Sequence, residues 1–316
     1  MKKIAIVLGE PNSINSEILA KSWSKFSRNL KKKIFVIGSN KLLLDQFNRL
    51  NIRYRTNIIR DLDEKFYDTK INIMNVNLTY NYPFNVKKKN SEDYIKKCLD
   101  IACNFANNSK ISSFLNCPIE KSIFRKNKGV TEYVSSKSKK NGIMMIYNEI
   151  FSVSPLTNHS KIRDLGKLIS QDLIKRKVIN LKKSYQRFFK KNPKIVILGL
   201  NPHLGELDQN SEEKKIIIPA IKYLKRKKVQ IKGPFSVDQI FLNKKYNFDI
   251  VVGMYHDQVI GPFKTLFGFN AVNLTLGLDF LRASPDHGTA KNLINKKKAN
   301  PISLYKSINL LKRLNG

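Results

Sequence analysis

The chain has 316 residues, of which 41% are hydrophobic, so it is long enough for two domains and too apolar for wholesale disorder. It has three cysteines, and neither this odd number nor their spacing fits a disulfide framework or a zinc ribbon. The net charge is +35, but only 12 of the 59 basic residues are arginine and the lysines form scattered clusters. We therefore expect a solvated basic surface that attracts anionic substrates and no nucleic-acid partner.

The first predicted element is an apolar strand at residues 3–8. It ends at Gly9-Glu10-Pro11, which makes it too short for the apolar region of a signal peptide. Elsewhere no apolar stretch approaches the ~20 residues that span a bilayer. The sequence thus predicts a cytoplasmic protein without a membrane segment.

The N-terminal half alternates predicted strands and helices. Strands are expected at 3–8, 34–37, 71–76 and 111–115, and helices at 14–26, at 41–50 and from Ser91, as N-cap, to about 107. This succession is typical of a mostly parallel sheet covered by helices.

The second half begins with two neighbouring strands, at 144–147 and 151–153. Further strands are expected at 194–200, 249–254 and 272–276, and helices at about 161–175, 180–190 and 211–227. From His287 the chain should return to helix, and Pro301 begins the last one. The whole pattern predicts the α/β class.

Two of the four histidines directly follow apolar strands. His203 comes after the strand at 194–200 and His256 after the strand at 249–254. Ligand-binding groups of open α/β sheets gather outside the carboxyl ends of strands, and imidazole is the commonest ligand for catalytic metals. No two histidines are spaced i, i+4, so a metal site must be built from distant segments. An ordinary polar turn at each histidine is the alternative.

Three other segments carry candidate binding groups. Lys264 and Arg282 suit a phosphate or carboxylate, although surface charge is the alternative for Lys264. The small residues of 286–290 let a ligand approach backbone N–H groups. A Gly-x-Gly-x-x-Gly fingerprint, a Gly-x-Ser-x-Gly motif and a Walker loop are all missing from the sequence.

Together these motifs resemble the NAD-dependent 4-hydroxythreonine-4-phosphate dehydrogenase family of pyridoxal phosphate biosynthesis. The likeness runs over essentially the whole chain and is strongest from Thr157 onward. The matching pieces, in chain order, are Thr157 to His159, Gly199 to Glu206, Ile217 to Pro219, Gly233-Pro234 with Asp238, Met254 to Gln258, Lys264, Val272 to Leu278, Arg282 and Asp286 to Ala290.

The resemblance implies a set of site residues. The ligands of a divalent metal (zinc, magnesium or cobalt) would be His159, His203 and His256. The substrate would be bound by Thr131, Lys264, Asn273 and Arg282, with Asp257 and Lys264 as candidates for the catalytic base. The cofactor, NAD or NADP, would lie against His287, Gly288, Thr289, Ala290 and Asn300.

The resemblance also implies an architecture. It predicts two α/β/α domains with a cleft between them, as in isocitrate and isopropylmalate dehydrogenases. Residues 1–128 with 285–316 would form the domain of the cofactor loop, and residues 129–284 the domain for metal, substrate and dimerisation. The implied assembly is a homodimer whose active sites draw on both subunits.

The implied reaction is NAD-dependent, metal-assisted oxidation of 4-phosphohydroxy-L-threonine. The β-keto acid product would decarboxylate to 3-amino-2-oxopropyl phosphate, a step in pyridoxine 5'-phosphate biosynthesis. A related dehydrogenase acting on a four-carbon sugar acid phosphate, erythronate or threonate 4-phosphate, is the alternative enzyme. A nucleic-acid-binding protein and an inactive relative are the alternatives outside this chemistry. The three retained histidines, with Lys264, Asn273 and Arg282, argue against the inactive relative.

One departure from the family concerns the substrate. Where the family has Thr-Gly-His-Thr-Glu, this chain has Lys128-Gly129-Val130-Thr131-Glu132. Thr131 matches, but Val130 replaces a histidine that contacts the substrate in the family. One donor to the phosphate is therefore missing, which keeps the alternative substrates open.

Overall fold

The computed structural model describes residues 2–120, 122–124, 129–158, 160–206, 208–242 and 247–315. Packing divides the chain into two compact units: Met1–Gly142 with Leu278–Gly316, and Ile143–Gly277.

Strands and helices alternate along the chain. The strands are β1 (Ile4–Val7), β2 (Ile34–Gly38), β3 (Thr56–Ile59), β4 (Ile71–Asn75), β5 (Ser113–Asn116), β6 (Ile143–Tyr147), β7 (Ser152–Thr157), β8 (Ile195–Leu198), β9 (Ile231–Phe235), β10 (Ile250–Tyr255), β11 (Val272–Leu276) and β12 (Leu281–Pro285). The helices are α1 (Asn15–Trp23), α2 (Arg28–Lys31), α3 (Asn40–Leu50), α4 (Lys88–Asn107), α5 (Val130–Ser138), α6 (Leu165–Leu168), α7 (Gln171–Phe189), α8 (Ile218–Arg226), α9 (Val237–Leu242), α10 (His256–Phe267) and α11 (Ile302–Leu314).

The first unit is built on a parallel sheet with the strand order β3-β4-β2-β1-β5-β12. Strands β1 and β2 are buried along their whole length, as expected for parallel strands covered by helices. Helix α4 packs against β1, β2 and β5, while α1 packs against α3 and α11. The carboxyl ends of β1, β5 and β12 therefore lie side by side at one edge of the sheet.

The second unit is built on a mixed sheet with the order β11-β6-β7-β10-β8-β9. Strand β6 is antiparallel to both of its neighbours, β11 and β7. Strands β7, β10, β8 and β9 are parallel to one another. Helix α10 packs against β7 and β10. The carboxyl ends of β7, β10 and β8 thus open at the same edge, and β10 lies between the other two.

A phenylalanine cluster forms much of the core of the second unit. The ring of Phe151, which precedes β7, lies 6.1 Å from Phe241, 5.5 Å from Phe248, 5.7 Å from Phe263 and 5.2 Å from Phe267. Phe263 and Phe267 belong to α10. The cluster therefore fixes α10, which begins with His256, against the strand that precedes position 159.

The units differ from the predicted domains in two elements. Helix α5 packs on α4, and β12 pairs with β5, so both belong to the first unit. The predicted boundaries at 128/129 and 284/285 assigned both elements to the second domain. The assignment of cofactor binding to residues 1–128 with 285–316, and of metal, substrate and dimerisation to residues 129–284, remains a prediction.

Three predicted helix boundaries were wrong. Helix α4 begins at Lys88, and Ser91 is buried inside it instead of capping it. Helices were predicted at about 161–175 and 180–190, but α7 is continuous from Gln171 to Phe189. The break lies before it, where the Ser170 hydroxyl accepts the N–H of Leu173 at 3.2 Å and caps the helix. After His287 the chain forms a short 3-10 turn at Lys291–Leu293, and regular helix resumes only at α11.

Two findings bear on composition. Within the described part of the chain, no helix has the length and apolar character needed to cross a membrane. The three cysteines, Cys98, Cys103 and Cys117, are buried and carry free thiols. Burial raises the pKa of Cys98 and Cys103 to about 12, so both are protonated at neutral pH.

Candidate active site

His256 stands at the junction of β10 and α10. Its Nδ1 lies 2.7 Å from Oδ1 of Asp257, and its side chain is 31% exposed. A carboxylate at Nδ1 favours the tautomer whose Nε2 lone pair is available to a metal. Asp257, predicted as a catalytic residue, thus contacts a predicted metal ligand directly.

His203 lies on a strained turn after β8. His203 and Leu204 have φ of 51° and 60°, and Gly205 follows with φ of 60°. Left-handed backbone costs a non-glycine residue about 1–3 kcal/mol and persists only where the surroundings enforce it. Such strain is concentrated at functional sites, and the exposed His203 side chain is free of core packing.

The buried carboxylate of Glu213 holds the start of this turn. Its Oε1 accepts the backbone N–H groups of Leu200 at 2.7 Å and Asn201 at 2.8 Å, and its Oε2 accepts the Asn201 side-chain amide at 3.0 Å. Burial alone would raise the pKa of Glu213, but the hydrogen bonds from Asn201 and Leu200 outweigh it and lower the pKa. Sequence patterns did not indicate this contact, since Glu213 lies in a predicted helix.

His159 lies outside the described residues. In the sequence it comes two positions after Thr157, the last residue of β7, and Thr157 is paired in register with Tyr255 of β10. Among the described residues no group of three or more His, Cys, Asp or Glu side chains is arranged to hold a metal ion. The described part therefore contains two of the three predicted ligands, each after one of two neighbouring parallel strands.

The second unit also carries two predicted substrate residues. Lys264 is half-buried on α10, eight residues after His256, which corresponds to roughly 12 Å of helix. Asn273 lies on β11, and its buried Oδ1 has no hydrogen-bond partner among the described residues. An unsatisfied buried acceptor is costly unless a ligand or water bonds it, so Asn273 fits a binding residue.

In the first unit, Arg282 and Thr131 lie together. The Arg282 guanidinium is buried and donates to Thr131 Oγ1 at 3.1 Å and to Asn116 Oδ1 at 2.7 Å. Burial lowers the pKa of Arg282 to about 10, so the group stays charged at neutral pH. Sequence analysis did not single out Asn116 as functional, although a polar residue ending the apolar strand β5 was the available signal.

Val130 begins α5 and packs against the apolar core of the first unit. This position, a histidine in the family motif, is therefore used for core packing. The neighbouring Thr131 keeps its hydroxyl on Arg282, so the polar half of the motif is preserved.

The predicted cofactor segment follows β12 and contacts the loop after β1. The carbonyl of Thr289 accepts the N–H of Ile14 at 3.3 Å, and Ala290 adopts a left-handed conformation with φ of 45°. A Cβ on Gly288 would have no neighbour within 4 Å, which leaves room beside this backbone. Asn300 has a structural contact as well, because its Oδ1 accepts the N–H of Ile302 at the start of α11.

Comparison with known proteins decides the family. The model of the family described as "Pyridoxal phosphate biosynthetic protein PdxA" matches residues 30–311. The chain belongs to this family. The match spans the predicted site residues from Thr131 to Asn300, and the resemblance drawn from the sequence motifs is confirmed.

Related proteins agree with the family over the full length. The 4-hydroxythreonine-4-phosphate dehydrogenase of Aquifex aeolicus (strain VF5) is 33% identical over 325 residues, covering 99% of this chain and 98% of that protein. The crystal structure of 4-hydroxythreonine-4-phosphate dehydrogenase from Klebsiella pneumoniae matches with a TM-score of 0.87 and 28% identity, covering 99% and 98% of the two chains. This family member is an oxidoreductase, as predicted.

A more distant structure concerns the fold alone. Isocitrate dehydrogenase from Methylococcus capsulatus matches with a TM-score of 0.51 at 12% identity, covering 100% of this chain and 86% of that one. The predicted α/β class, related to the isocitrate dehydrogenase fold, is confirmed.

Proposed function

We propose that this family member catalyses the NAD-dependent, metal-assisted oxidation of 4-phosphohydroxy-L-threonine. The β-keto acid product then decarboxylates to 3-amino-2-oxopropyl phosphate for pyridoxine 5'-phosphate biosynthesis. Full-length relatives bear the name of this dehydrogenase. The observation that carries the proposal is the pair of histidines, His203 and His256, after two neighbouring parallel strands, β8 and β10, in a chain of this family.

The residues present fit a divalent metal. His203 and His256 offer imidazole nitrogens, Asp257 orients one ring, and His159 is the proposed third ligand. Three imidazoles suit zinc or cobalt, whereas magnesium would draw more on substrate oxygens. When bound, the metal supplies a Lewis acid that lowers the pKa of the substrate hydroxyl and stabilises charge developing during decarboxylation.

The proposed anion-binding groups are cationic or carry available polar atoms. Arg282 remains charged, and Asn116 and Thr131 orient its guanidinium, so its positive charge would favour a phosphate or carboxylate group nearby. Lys264 would also contact the substrate, and the Asn273 Oδ1 would accept a hydrogen bond from a substrate hydroxyl or amino group. Positive surface charge would further favour such a doubly anionic substrate.

Asp257 and Lys264 are the two candidates for the base. The carboxylate of Asp257 is engaged at His256 Nδ1, which favours an orienting role for it. We therefore propose Lys264 as the group that takes the proton from the substrate hydroxyl, directly or through one water.

The first unit fits a dinucleotide. Asn15 Oδ1 and Ser16 Oγ, at the N-terminus of α1, are buried without a hydrogen-bond partner among the described residues. The loop just before them contacts the proposed cofactor segment through Ile14 and Thr289. The Ser16 hydroxyl can donate to a phosphate, and the Asn15 Oδ1 can accept from a ribose hydroxyl, so both suit a dinucleotide. NAD or NADP would supply the hydride acceptor.

We also propose a homodimer with shared active sites. A homodimer would cover large apolar side chains that the second unit exposes. These side chains are Ile150, Ile162, Leu168, Leu242, Leu266 and Phe269. The absence of a nucleic-acid partner and the cytoplasmic location stay predictions.

A second candidate is a dehydrogenase for erythronate or threonate 4-phosphate, which the apolar Val130 keeps open. The test is to assay 4-phosphohydroxy-L-threonine and both sugar acid phosphates with NAD or NADP and with zinc, cobalt or magnesium, following reduced nicotinamide. We expect the highest kcat/KM with 4-phosphohydroxy-L-threonine, and turnover of a sugar acid phosphate alone would reverse the assignment.

Fluorescence anisotropy with labelled duplex DNA tests the nucleic-acid alternative. That alternative requires an affinity for DNA that falls steeply as the salt concentration rises.

A further inference from the structure

Helix α1 holds the backbone just before Asn300 through an ion pair. The ammonium group of Lys21 donates to Glu17 Oε1 at 2.6 Å. It also donates to the backbone carbonyls of Lys297 and Ala299, each at 2.9 Å. Glu17 is only 2% exposed, and its Oε1 accepts the backbone N–H of Ala299 at 2.9 Å. The pair therefore binds both backbone polar groups of Ala299, and the three donors of the Lys21 ammonium have three acceptors.

The segment that this pair holds lacks regular structure. Residues 294–301 contain neither helix nor strand, and they join the 3-10 turn at Lys291–Leu293 to α11. Within them, Asn295 and Lys297 have left-handed backbone with φ of 63° and 55°. Such conformations are unfavourable for residues other than glycine and persist only where the surroundings enforce them. The contacts with α1 tie this backbone to the rest of the first unit.

The same helix also contacts the first part of the proposed cofactor site. The N–H of Ile14, which immediately precedes α1, donates to the carbonyl of Thr289 at 3.3 Å. Towards the other end of the helix, the Ser22 hydroxyl donates to the carbonyl of Pro301 at 3.4 Å. Helix α1 thus contacts the segment of Thr289 at its N-terminal end and the residues on both sides of Asn300 further along.

We propose that Glu17 and Lys21 are positioning residues, which hold Asn300 where it contacts the nicotinamide cofactor and so raise the affinity for NAD or NADP. The inference rests on the proposed function, because it takes Asn300 as a cofactor-binding residue. Glu17 and Lys21 act through the backbone of residues 297–299 and do not bind the cofactor themselves. A segment that is already ordered loses less conformational entropy when a ligand binds, and this difference raises the affinity.

The test measures cofactor binding apart from turnover. Lys21→Met keeps an unbranched side chain and removes all three hydrogen-bond donors. We expect the dissociation constant of the cofactor that the wild type binds, NADH or NADPH, to rise about 10-fold, because binding must then order the segment. Nucleotide fluorescence or calorimetry without substrate measures it. Hydrogen exchange of the Ala299 amide should also be faster in the cofactor-free variant.

Steady-state kinetics give a second readout. In Lys21→Met the KM for the cofactor should rise, while kcat and the KM for the phosphorylated substrate stay at their wild-type values. A change in the folded protein that was merely structural would not act on the cofactor alone.

Lys175→Met is the matched control. Lys175 lies on α7 in the second unit, and its Nζ bonds Gln171 Oε1, four residues earlier on the same helix, at 3.0 Å. This variant removes the same charge and a contact of the same spacing. It should leave the cofactor dissociation constant and the exchange of the Ala299 amide unchanged. The comparison separates the loss of a helix lysine from the loss of the contacts with residues 297–299.

The outcomes distinguish the inference from the function on which it rests. A folded Lys21→Met protein with wild-type cofactor affinity would overturn the positioning role and leave the dehydrogenase activity standing. If Lys21→Met does not fold, it is combined with Glu17→Gln, because the double variant leaves no unpaired buried charge. Wild-type affinity of the double variant overturns the role equally. Wild-type protein that binds neither NADH nor NADPH would instead overturn the proposed cofactor chemistry.

Discussion

At the scale of single residues, the buried carboxylate of Glu213 holds the backbone that leads into the His203 turn. Three hydrogen bonds join its carboxylate to Leu200 and Asn201, and it is only 1% exposed. These bonds are worth more to the ionised carboxylate than to a neutral group. The strained backbone at His203 therefore depends on the charge of a residue ten positions away in the chain.

This dependence predicts a pH effect on stability. The hydrogen bonds lower the pKa of Glu213 in the folded protein below its usual 4.5. Its contribution is thus fully present above the unfolded-state pKa and is lost as pH falls through the folded-state pKa. In metal-free protein, Glu213→Gln should reduce the free energy of unfolding by about 1.5–3 kcal/mol at pH 7, and this difference should shrink below about pH 4.5.

Urea unfolding from pH 7 to pH 3 measures this difference. The exposed Glu206 of the same loop supplies the control, since Glu206→Gln should change stability by less than about 0.5 kcal/mol throughout. A Glu213→Gln effect that stays constant across the whole pH range would contradict the role of the ionised carboxylate.

At the scale of elements, α10 carries the largest share of the candidate site. It begins with His256, bears Asp257, Gln258 and Lys264, and is fixed by the phenylalanine cluster around Phe151. Apolar packing far from the chemistry therefore sets where these polar groups lie.

Phe263→Ala tests this packing. Phe263 is fully buried, with its ring 5.7 Å from Phe151 and 4.8 Å from Phe267. Its removal should lower the free energy of unfolding by about 3–5 kcal/mol in urea titrations, because a cavity replaces the ring. Thr265→Ala, on the same helix but exposed, should change it by less than about 0.5 kcal/mol. Equal effects of the two variants would show that the cluster does not anchor the helix.

Element prediction from sequence succeeded where a pattern was local and failed where tertiary context decided. Apolar runs predicted β1, β8 and β10 because buried parallel strands are apolar throughout. Strand β3 was not predicted because its residues are mostly half-exposed and form no apolar run. Strand β9 was not predicted because it contains Gly233 and Pro234. The missed β12 is short and interrupted by Arg282, a buried charge that donates hydrogen bonds to Asn116 and Thr131.

At the scale of the whole molecule, the proposed shared sites predict complementation between inactive variants. His159→Ala and His256→Ala homodimers should both be inactive. If one site combines His159 of one subunit with His256 of the other, a heterodimer of the two variants has one intact site and about half of wild-type activity. Co-expression with two different tags isolates the heterodimer for assay. An inactive heterodimer would show that each site takes both histidines from one subunit.

Local sequence patterns were sufficient for the α/β class, the family and the placement of His203 and His256 directly after strands. These features follow from apolar runs and short motifs, which the chain carries in consecutive residues. Tertiary structure was needed for the strand order and for the contacts of Glu213 and Asn116. These contacts join residues 13 and 166 positions apart, and they have no signature in the chain itself. Such contacts exist only after the sheet has brought distant strands side by side.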